Sequence, residues 1–303
     1  MTAPNGSVGF ESLPGWQRDD HRAALAAYTG SVDLLPPDWP RPDRHADRAF
    51  FEAGFQPTIL APTALLTGYY EPELTGSARP TDRFRFPLYA VPDDLRADRP
   101  WFDRTRIETG DLLAGRELVW LDSALEAFLA QVQGSVRVRL PDGATRRFGF
   151  AGKNGHPYSS IGQELLRRGE LSEKDASVTA IRGWAERNPD ALGALLRVNA
   201  SFVFFRPLDL PDHAGPLGTL RRSVTALRSI AVDPAHIPLG APVWVEADGL
   251  AQLMIAQDTG SAIIGPDRGD IFFGTGTAAG EAAGRLRATG RMVVLLPRAV
   301  VAR

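Results

Sequence analysis

At 303 residues the chain can hold one large domain or two ordinary ones, and its 44% hydrophobic and 23% charged content is that of a globular protein. A formal net charge of −2 argues against non-specific nucleic-acid binding, which needs a basic surface. The absence of cysteine excludes disulfides and thiolate metal sites, and no apolar run approaches the roughly 18–20 residues that span a bilayer.

Residues 1–15 read as poorly ordered, and their start, Met1-Thr2-Ala3-Pro4-Asn5-Gly6-Ser7, lacks the basic-then-apolar pattern of an export signal. A helix is expected from Asp19 to Tyr28, then the proline-rich loop Leu35 to Pro42, then a helix from Arg44 to Ala53 closed by Gly54. Short strands follow at Leu65 to Tyr70 and Phe84 to Val91. Asp122 to Val132 places Leu125, Phe128, Leu129 and Val132 on one helical face. Val136 to Leu140 and Arg146 to Phe150 alternate around Pro141-Asp142-Gly143, a strong hairpin signal. Ser160 to Gln163 forms a capping box for a helix to Arg168, and Ser172 to Asp175 opens another to about Arg187. Pro189 suits the first turn of a third short helix.

The C-terminal part is richer in strands. Phe202 to Phe205, Arg228 to Val232, Val243 to Glu246, Leu253 to Asp258, Ile271 to Phe273 and Met292 to Leu296 are predicted, with a helix from Ala278 to Ala288 capped by Thr277 and stopped by Gly290. Several short strands with few helices point to a barrel. The expected organisation is a barrel built from residues 1–72 and 199–303, with a β-rich unit carrying several short helices inserted at 73–198.

The segment Gln257 to Gly274 carries three aspartates (Asp258, Asp267, Asp270) and four glycines beside apolar strands. Glycine turns let backbone approach a ligand, and carboxylates beside apolar strands are groups whose proton affinity a fold can raise. Competing chemistries fit less well. The histidines His21, His45, His156, His213 and His236 are scattered without metal-ligand spacing, so no metal is expected and no cofactor is called for. The glycines match no phosphate-binding fingerprint. Asp258-Thr259-Gly260-Ser261 resembles the active-site turn of aspartic proteases, but a second copy is absent, and that chemistry needs two carboxylates sharing one proton. No Gly-x-Ser-x-Gly elbow supports a serine nucleophile.

Asp258 to Gly265 with Arg268 to Gly274 resembles the signature of the "three-aspartate" domain, and Arg228 to Pro234 followed by Ile237 to Val243 matches that domain's first aspartate. Leu66-Thr67-Gly68-Tyr69-Tyr70-Glu71-Pro72, Phe150 to Gly162 and Asn199 to Arg206 are similar to segments of the membrane-bound lytic murein transglycosylase A family, in that family's order. The resemblance implies a mainly β fold, a double-psi β-barrel with a smaller β-rich domain and a glycan groove between them. It implies cleavage of the β-1,4 bond between N-acetylmuramic acid and N-acetylglucosamine in peptidoglycan, with a 1,6-anhydro end.

The family's catalytic aspartate falls on Asp270, and the other two signature aspartates on Asp258 and Asp233. When the sugar's own O6 attacks, one carboxyl can serve as acid and then base, so Asp270 is expected to hold a proton at working pH. Asp258 is expected to support it by charge, and Asp233 either to hold a turn or to touch substrate. Thr67, Tyr69, Glu71, Lys153, Asn154 and His156 are candidate substrate-binding residues, the last three in a glycine-flanked loop suited to an acetamido or lactyl group. Peptidoglycan strands are the expected partner of a monomer, with no nucleic acid and with membership of a wall-synthesis complex left open. Residence in the periplasm or at the outer membrane is implied by the family alone, since the chain shows neither an export signal nor a lipidated cysteine. A glycoside hydrolase on the same barrel and a non-catalytic wall-binding module stay open as alternatives.

Overall fold

The computed structural model of the chain describes residues 6–172 and 177–298. They divide into two compact units, one from both chain ends (up to Tyr70 and from Asp212 onward), the other from Glu71 to Pro211.

The first unit is built on β1 (Phe55–Ile59), β2 (Ala64–Glu71), β9 (Ser229–Ala231), β10 (Pro242–Ala247), β11 (Leu250–Asp258), β12 (Arg268–Thr275) and β13 (Arg287–Pro297). Their order is β1-β13-β10-β11-β9-β12-β2, and β13 also pairs with β2. That pairing closes β13-β10-β11-β9-β12-β2 into a barrel, leaving β1 as the edge strand beside β13. Strand β13 closes the ring because it is long. Arg287 to Gly290 lie against Thr67 to Ala64 of β2, while Arg291 to Val294 lie against β10.

Valine, isoleucine and leucine on β10, β11 and β13 form the core with Leu66, Ile230 and Ile271. Helix α1 (His21–Thr29), capped by Asp20, and helix α2 (Arg48–Gly54), capped by Asp47, add Tyr28 and Phe51, which join Phe55 of β1 and the paired rings of Trp16 and Trp244 in that core. Each such ring, fully buried, stabilises by roughly 1.5–3 kcal/mol. Of the amino-terminal residues expected to be poorly ordered, 1–5 lie outside the described residues. The rest are held down: Val8 N donates to Pro57 O at 3.0 Å, and Leu13 and Trp16 are buried in the barrel core.

The second unit carries a six-stranded sheet in the order β4-β5-β3-β6-β7-β8. The strands are β3 (Glu73–Ser77), β4 (Phe86–Tyr89), β5 (Glu117–Leu121), β6 (Ser135–Arg139), β7 (Thr145–Lys153) and β8 (Val203–Leu208). The β6–β7 hairpin turns at Gly143, whose φ of 86° is the left-handed conformation that the Asp-Gly signal requires. Helices α3 (Arg104–Thr109), α4 (Ala124–Gln133), α5 (Ile161–Arg167), α6 (Val178–Arg187) and α7 (Pro189–Leu196) complete this unit. Ser123, Ser160 and Ser177 each cap a helix by accepting a backbone N–H three residues on. The opening expected for α6 at Ser172 to Asp175 falls largely on residues 173–176, outside the described residues.

Two expected boundaries move. Residues 199–211 were assigned to the barrel, but β8 pairs with β7 along Arg147 to Lys153 and so belongs to the inserted unit. The C-terminal helix, α8, runs Thr277–Arg285 rather than Ala278 to Ala288, with Gly276 as its cap. The barrel needs Arg287 to Gly290 as strand to close against β2, and that pairing overrides the helical propensity of the alanines.

Candidate active site

The barrel's register brings two aspartates to one face. Strand β9 is the middle of three, parallel to β11 and antiparallel to β12. Ile255 faces Ser229 and Ala256 faces Ile230, but then the register slips by one and Asp258 faces Ala231. The residue squeezed out is Gln257. Its buried amide accepts from Ser229 Oγ at 2.5 Å and donates to Ser31 Oγ at 2.6 Å and Ala27 O at 3.0 Å. A bulge re-aims the side chain that follows it. On the other side Ala231 faces Asp270. Asp258 and Asp270 therefore flank a small buried alanine, their side chains on the same face of the sheet.

Which face this is follows from the neighbours. A Cβ at Gly269 would stand 2.7 Å from Met292 Sδ and 2.9 Å from both Ile230 Cδ1 and Leu66 Cδ2. Gly269, Ile230 and Leu66 thus meet in the core, and only glycine lets β12 come so close. Strand alternation turns Thr67, Tyr69, Ala231, Arg268 and Asp270 the other way.

There the side chains interlock. The hydroxyl of Thr67 donates a short hydrogen bond to Asp270 Oδ1 and itself accepts from Arg268 Nη2 at 2.8 Å. Arg268 is fixed in turn by the carbonyls of Leu65 at 3.2 Å and Gly269 at 2.5 Å. Tyr69, packed on Phe272 with ring centroids 5.2 Å apart, donates to Asp258 Oδ2 at 2.8 Å. Asp258 Oδ1 accepts from Thr219 N and Thr219 Oγ1, both at 3.0 Å, and from Thr259 N at 2.9 Å.

The two carboxyls are therefore not equivalent. Four donors point at Asp258, three at Oδ1 and one at Oδ2. Burial raises its pKa above the ordinary carboxyl value, and the donors from Thr259, Tyr69 and Thr219 pull it only part of the way back. Each of these donors favours the charged form, so of the two carboxyls Asp258 is the one whose anion is better supported by hydrogen bonds. Asp270 accepts one side-chain hydrogen bond, on Oδ1. Burial lifts its pKa to about 6, the Thr67 hydrogen bond and the Arg268 charge oppose that rise, and the Asp258 charge adds to it. A half-buried carboxyl with a free oxygen and a pKa near neutrality can give a proton and take it back.

The remaining candidates separate. Thr67 and Tyr69, expected to meet substrate, are brought onto the two aspartates. Asp233 accepts from Gly265 N at 2.8 Å and Ala235 N at 3.0 Å, which holds its carboxylate below the usual range and ties the loop after β11 to the end of β9. Glu71 lies in the second unit, fully buried, its carboxylate bonded by Arg137 Nε at 2.7 Å and by Arg147 Nη2 at 3.1 and 3.3 Å. That placement corrects the expectation of a substrate contact. Asn154 is corrected for the same reason: buried, it donates to Phe102 O and Ala200 O, both at 2.9 Å, and accepts from Phe202 N at 2.9 Å. His156 is half-buried against Trp101 O at 2.8 Å, and Lys153 is exposed.

Sequence reasoning missed three participants. Arg268 had a signal, since Arg-Gly-Asp in a strand puts its first and third side chains on one face. Gln257 had one too, as a polar residue inside an apolar run. Thr219 had none. It sits at the tip of a small turn stapled by a bridge between Leu217 and Ser223, in a stretch with no periodicity.

Fold and site together define a mainly β protein of two units, with an aspartate of raised pKa and a second, more heavily hydrogen-bonded aspartate side by side on a closed barrel. Residues 65–206 match the MltA specific insert domain and residues 228–296 the 3D domain. Membrane-bound lytic murein transglycosylase A of Escherichia coli K12 is 36% identical over 242 residues, covering 76% of this chain and 64% of that protein's length. The crystal structure of a membrane-bound lytic murein transglycosylase from Agrobacterium tumefaciens superposes with a TM-score of 0.88 at 34% identity, covering 98% of both chains. E. coli MltA with bound chitohexaose superposes with a TM-score of 0.78 at 28% identity, over 98% of this chain and 93% of that one. The chain belongs to the membrane-bound lytic murein transglycosylase A family.

Proposed function

We propose that the protein is a peptidoglycan lytic transglycosylase that cleaves the β-1,4 bond between N-acetylmuramic acid and N-acetylglucosamine and closes the muramoyl residue into its 1,6-anhydro form. Asp270, neutral, donates its proton to the glycosidic oxygen. As the C1–O4 bond breaks, positive charge grows on C1 and the ring oxygen, and the fixed anion of Asp258 stabilises it. Asp270, now ionised, takes the proton from O6–H while O6 bonds to C1. The first proton leaves on the O4 hydroxyl, the proton of O6 restores neutral Asp270, and no water is consumed.

The observation that carries this reading is the contrast between an Asp258 held by four donors and an Asp270 that accepts one side-chain hydrogen bond and has a pKa of about 6. An inverting hydrolase needs a second carboxylate free to activate water, roughly 6.5–9.5 Å from the acid, and a retaining one needs a free carboxylate nucleophile. Asp258 is instead tied down on both oxygens, by three hydrogen bonds on Oδ1 and one on Oδ2, which blunts it for either duty. Peptidoglycan as substrate is supported by the names of the relatives and by the chitohexaose, an oligomer of β-1,4-linked amino sugars, bound to E. coli MltA. On the second unit, Lys153 is the exposed donor that this reading assigns to acetamido or lactyl oxygens. The same reading has the protein act in the cell envelope, where peptidoglycan lies. Among the described residues, no helix is long and apolar enough to cross a membrane.

Incubation with purified murein sacculi tests the assignment. Wild-type protein should release 1,6-anhydro muropeptides, and Asp270→Asn should reduce that release by at least about 10²-fold, the usual contribution of a general acid–base group. Full activity in Asp270→Asn, or binding to sacculi without product from the wild type, would overturn it.

A further inference from the structure

A hydroxyl has one proton, and in Thr67 its direction is biased by Arg268. Arg268 Nη2 takes up one of the two lone-pair positions of Thr67 Oγ1 at 2.8 Å, which biases the hydroxyl toward donating, and its hydrogen points at Asp270 Oδ1. Oδ1 is then an acceptor in either protonation state of Asp270, so the acid's proton has to sit on Oδ2. We infer that Arg268 is a positioning residue for this reaction, which acts through Thr67 to fix the transferable proton on the one Asp270 oxygen that is free to meet a glycosidic oxygen. The inference rests on the function proposed above for Asp270.

The groups around this relay are few. Thr67 and Tyr69 come from β2, Arg268 from β12, Asp258 from β11, and Arg287, exposed on β13, stands opposite Thr67 in the register. The helix α8, which packs on β12, contributes Glu281 and Arg285, both exposed. Arg268 is the cation on the face of β12 that carries Asp270, and the backbone carbonyls of Leu65 and Gly269 hold it without a carboxylate of its own. It is thus spared for Thr67. Without it, Thr67 could turn its hydrogen away and the proton of Asp270 could settle on either oxygen, while the loss of positive charge would favour the neutral acid.

Two readouts test this on the full protein. In one, aspartate carboxyl carbons are labelled and titrated by ¹³C NMR, with Asp270 assigned by its absence in Asp270→Asn. In the other, turnover on sacculi is followed against pH. Arg268→Gln and Thr67→Val should each raise the Asp270 midpoint by about one pH unit, since a neighbouring cation or a donor to the charged form favours ionisation. The basic limb of kcat/KM should move up with it, kcat should fall about tenfold on its plateau, and KM should hold. Thr67→Ser, which keeps the hydroxyl, should restore wild-type behaviour, and the double variant Arg268→Gln, Thr67→Val should be no worse than either single one. Midpoints that stay at the wild-type value would overturn the relay, as would losses that multiply in the double variant. Should Arg268→Gln fail to fold, the pair Thr67→Val and Thr67→Ser still decides, because equal midpoints in those two remove the hydroxyl from the path. The titration needs no turnover. A wild type that yields no anhydro product therefore sinks the functional reading separately, while the midpoints go on deciding the relay.

Discussion

Asp270 pays for its proton with stability. The unfolded chain leaves it at an ordinary carboxyl value of 3.8, whereas burial in the folded barrel raises it to about 6. Between those two pH values the native state binds more protons than the unfolded one, so stability falls as pH rises through that window. The penalty is absent below the unfolded value and fully present above the folded one. A shift of this size corresponds to about 2–3 kcal/mol at most. Asp270→Asn removes the ionisable group and keeps its shape, so the inactive variant should melt several degrees higher than wild type at pH 8 and at the same temperature near pH 3.5. Thermal denaturation at the two pH values checks it. A variant less stable than wild type at pH 8 would show that Asp270 is a structural anion instead of a strained acid.

At the scale of strands, the bulge at Gln257 is what aligns the two aspartates on Ala231. Its amide satisfies the hydroxyls of Ser229 and Ser31 and the carbonyl of Ala27, all inside the barrel wall. Gln257→Leu keeps the volume but strands those groups, at a cost of roughly 1–3 kcal/mol for each unpaired one. The expected outcome is a free energy of unfolding, measured by chemical denaturation, lowered by about 2–4 kcal/mol, with activity lost from the protein that remains folded because Asp258 is no longer in register with Asp270. Wild-type stability in that variant would mean that the bulge is held by the ladder alone. Strands β11, β12 and β13 could be seen in the sequence because their apolar runs are bounded by glycine and turn residues, and the hairpin because Asp142-Gly143 fixes its turn. Strands β1, β3 and β5 could not. Phe55–Ile59 contains Pro57, which speaks against a strand until the edge position of β1 is known. Glu73–Ser77 and Glu117–Leu121 are five residues each, too short for alternation to show.

Across the whole chain, what sequence could supply was the list of aspartates, through their resemblance to a family signature. What it could not supply was their inequality, since the difference between Asp258 and Asp270 is made by Thr219 from an aperiodic loop and by Thr67, Tyr69 and Arg268 from strands some two hundred residues apart. Glu71 and Asn154 misled for the opposite reason: polar residues within a motif read as ligand contacts, yet both are spent on buried hydrogen bonds inside the second unit. The central claim is that cleavage uses the sugar's own O6, with Asp270 moving the proton and Asp258 held in place as the anion. Digestion of sacculi in ¹⁸O-enriched water, with mass spectrometry of the released muropeptides, tests it most directly. The account predicts new muramoyl ends that are anhydro and carry no label. Ends bearing one ¹⁸O at C1 would contradict it and make the protein a hydrolase.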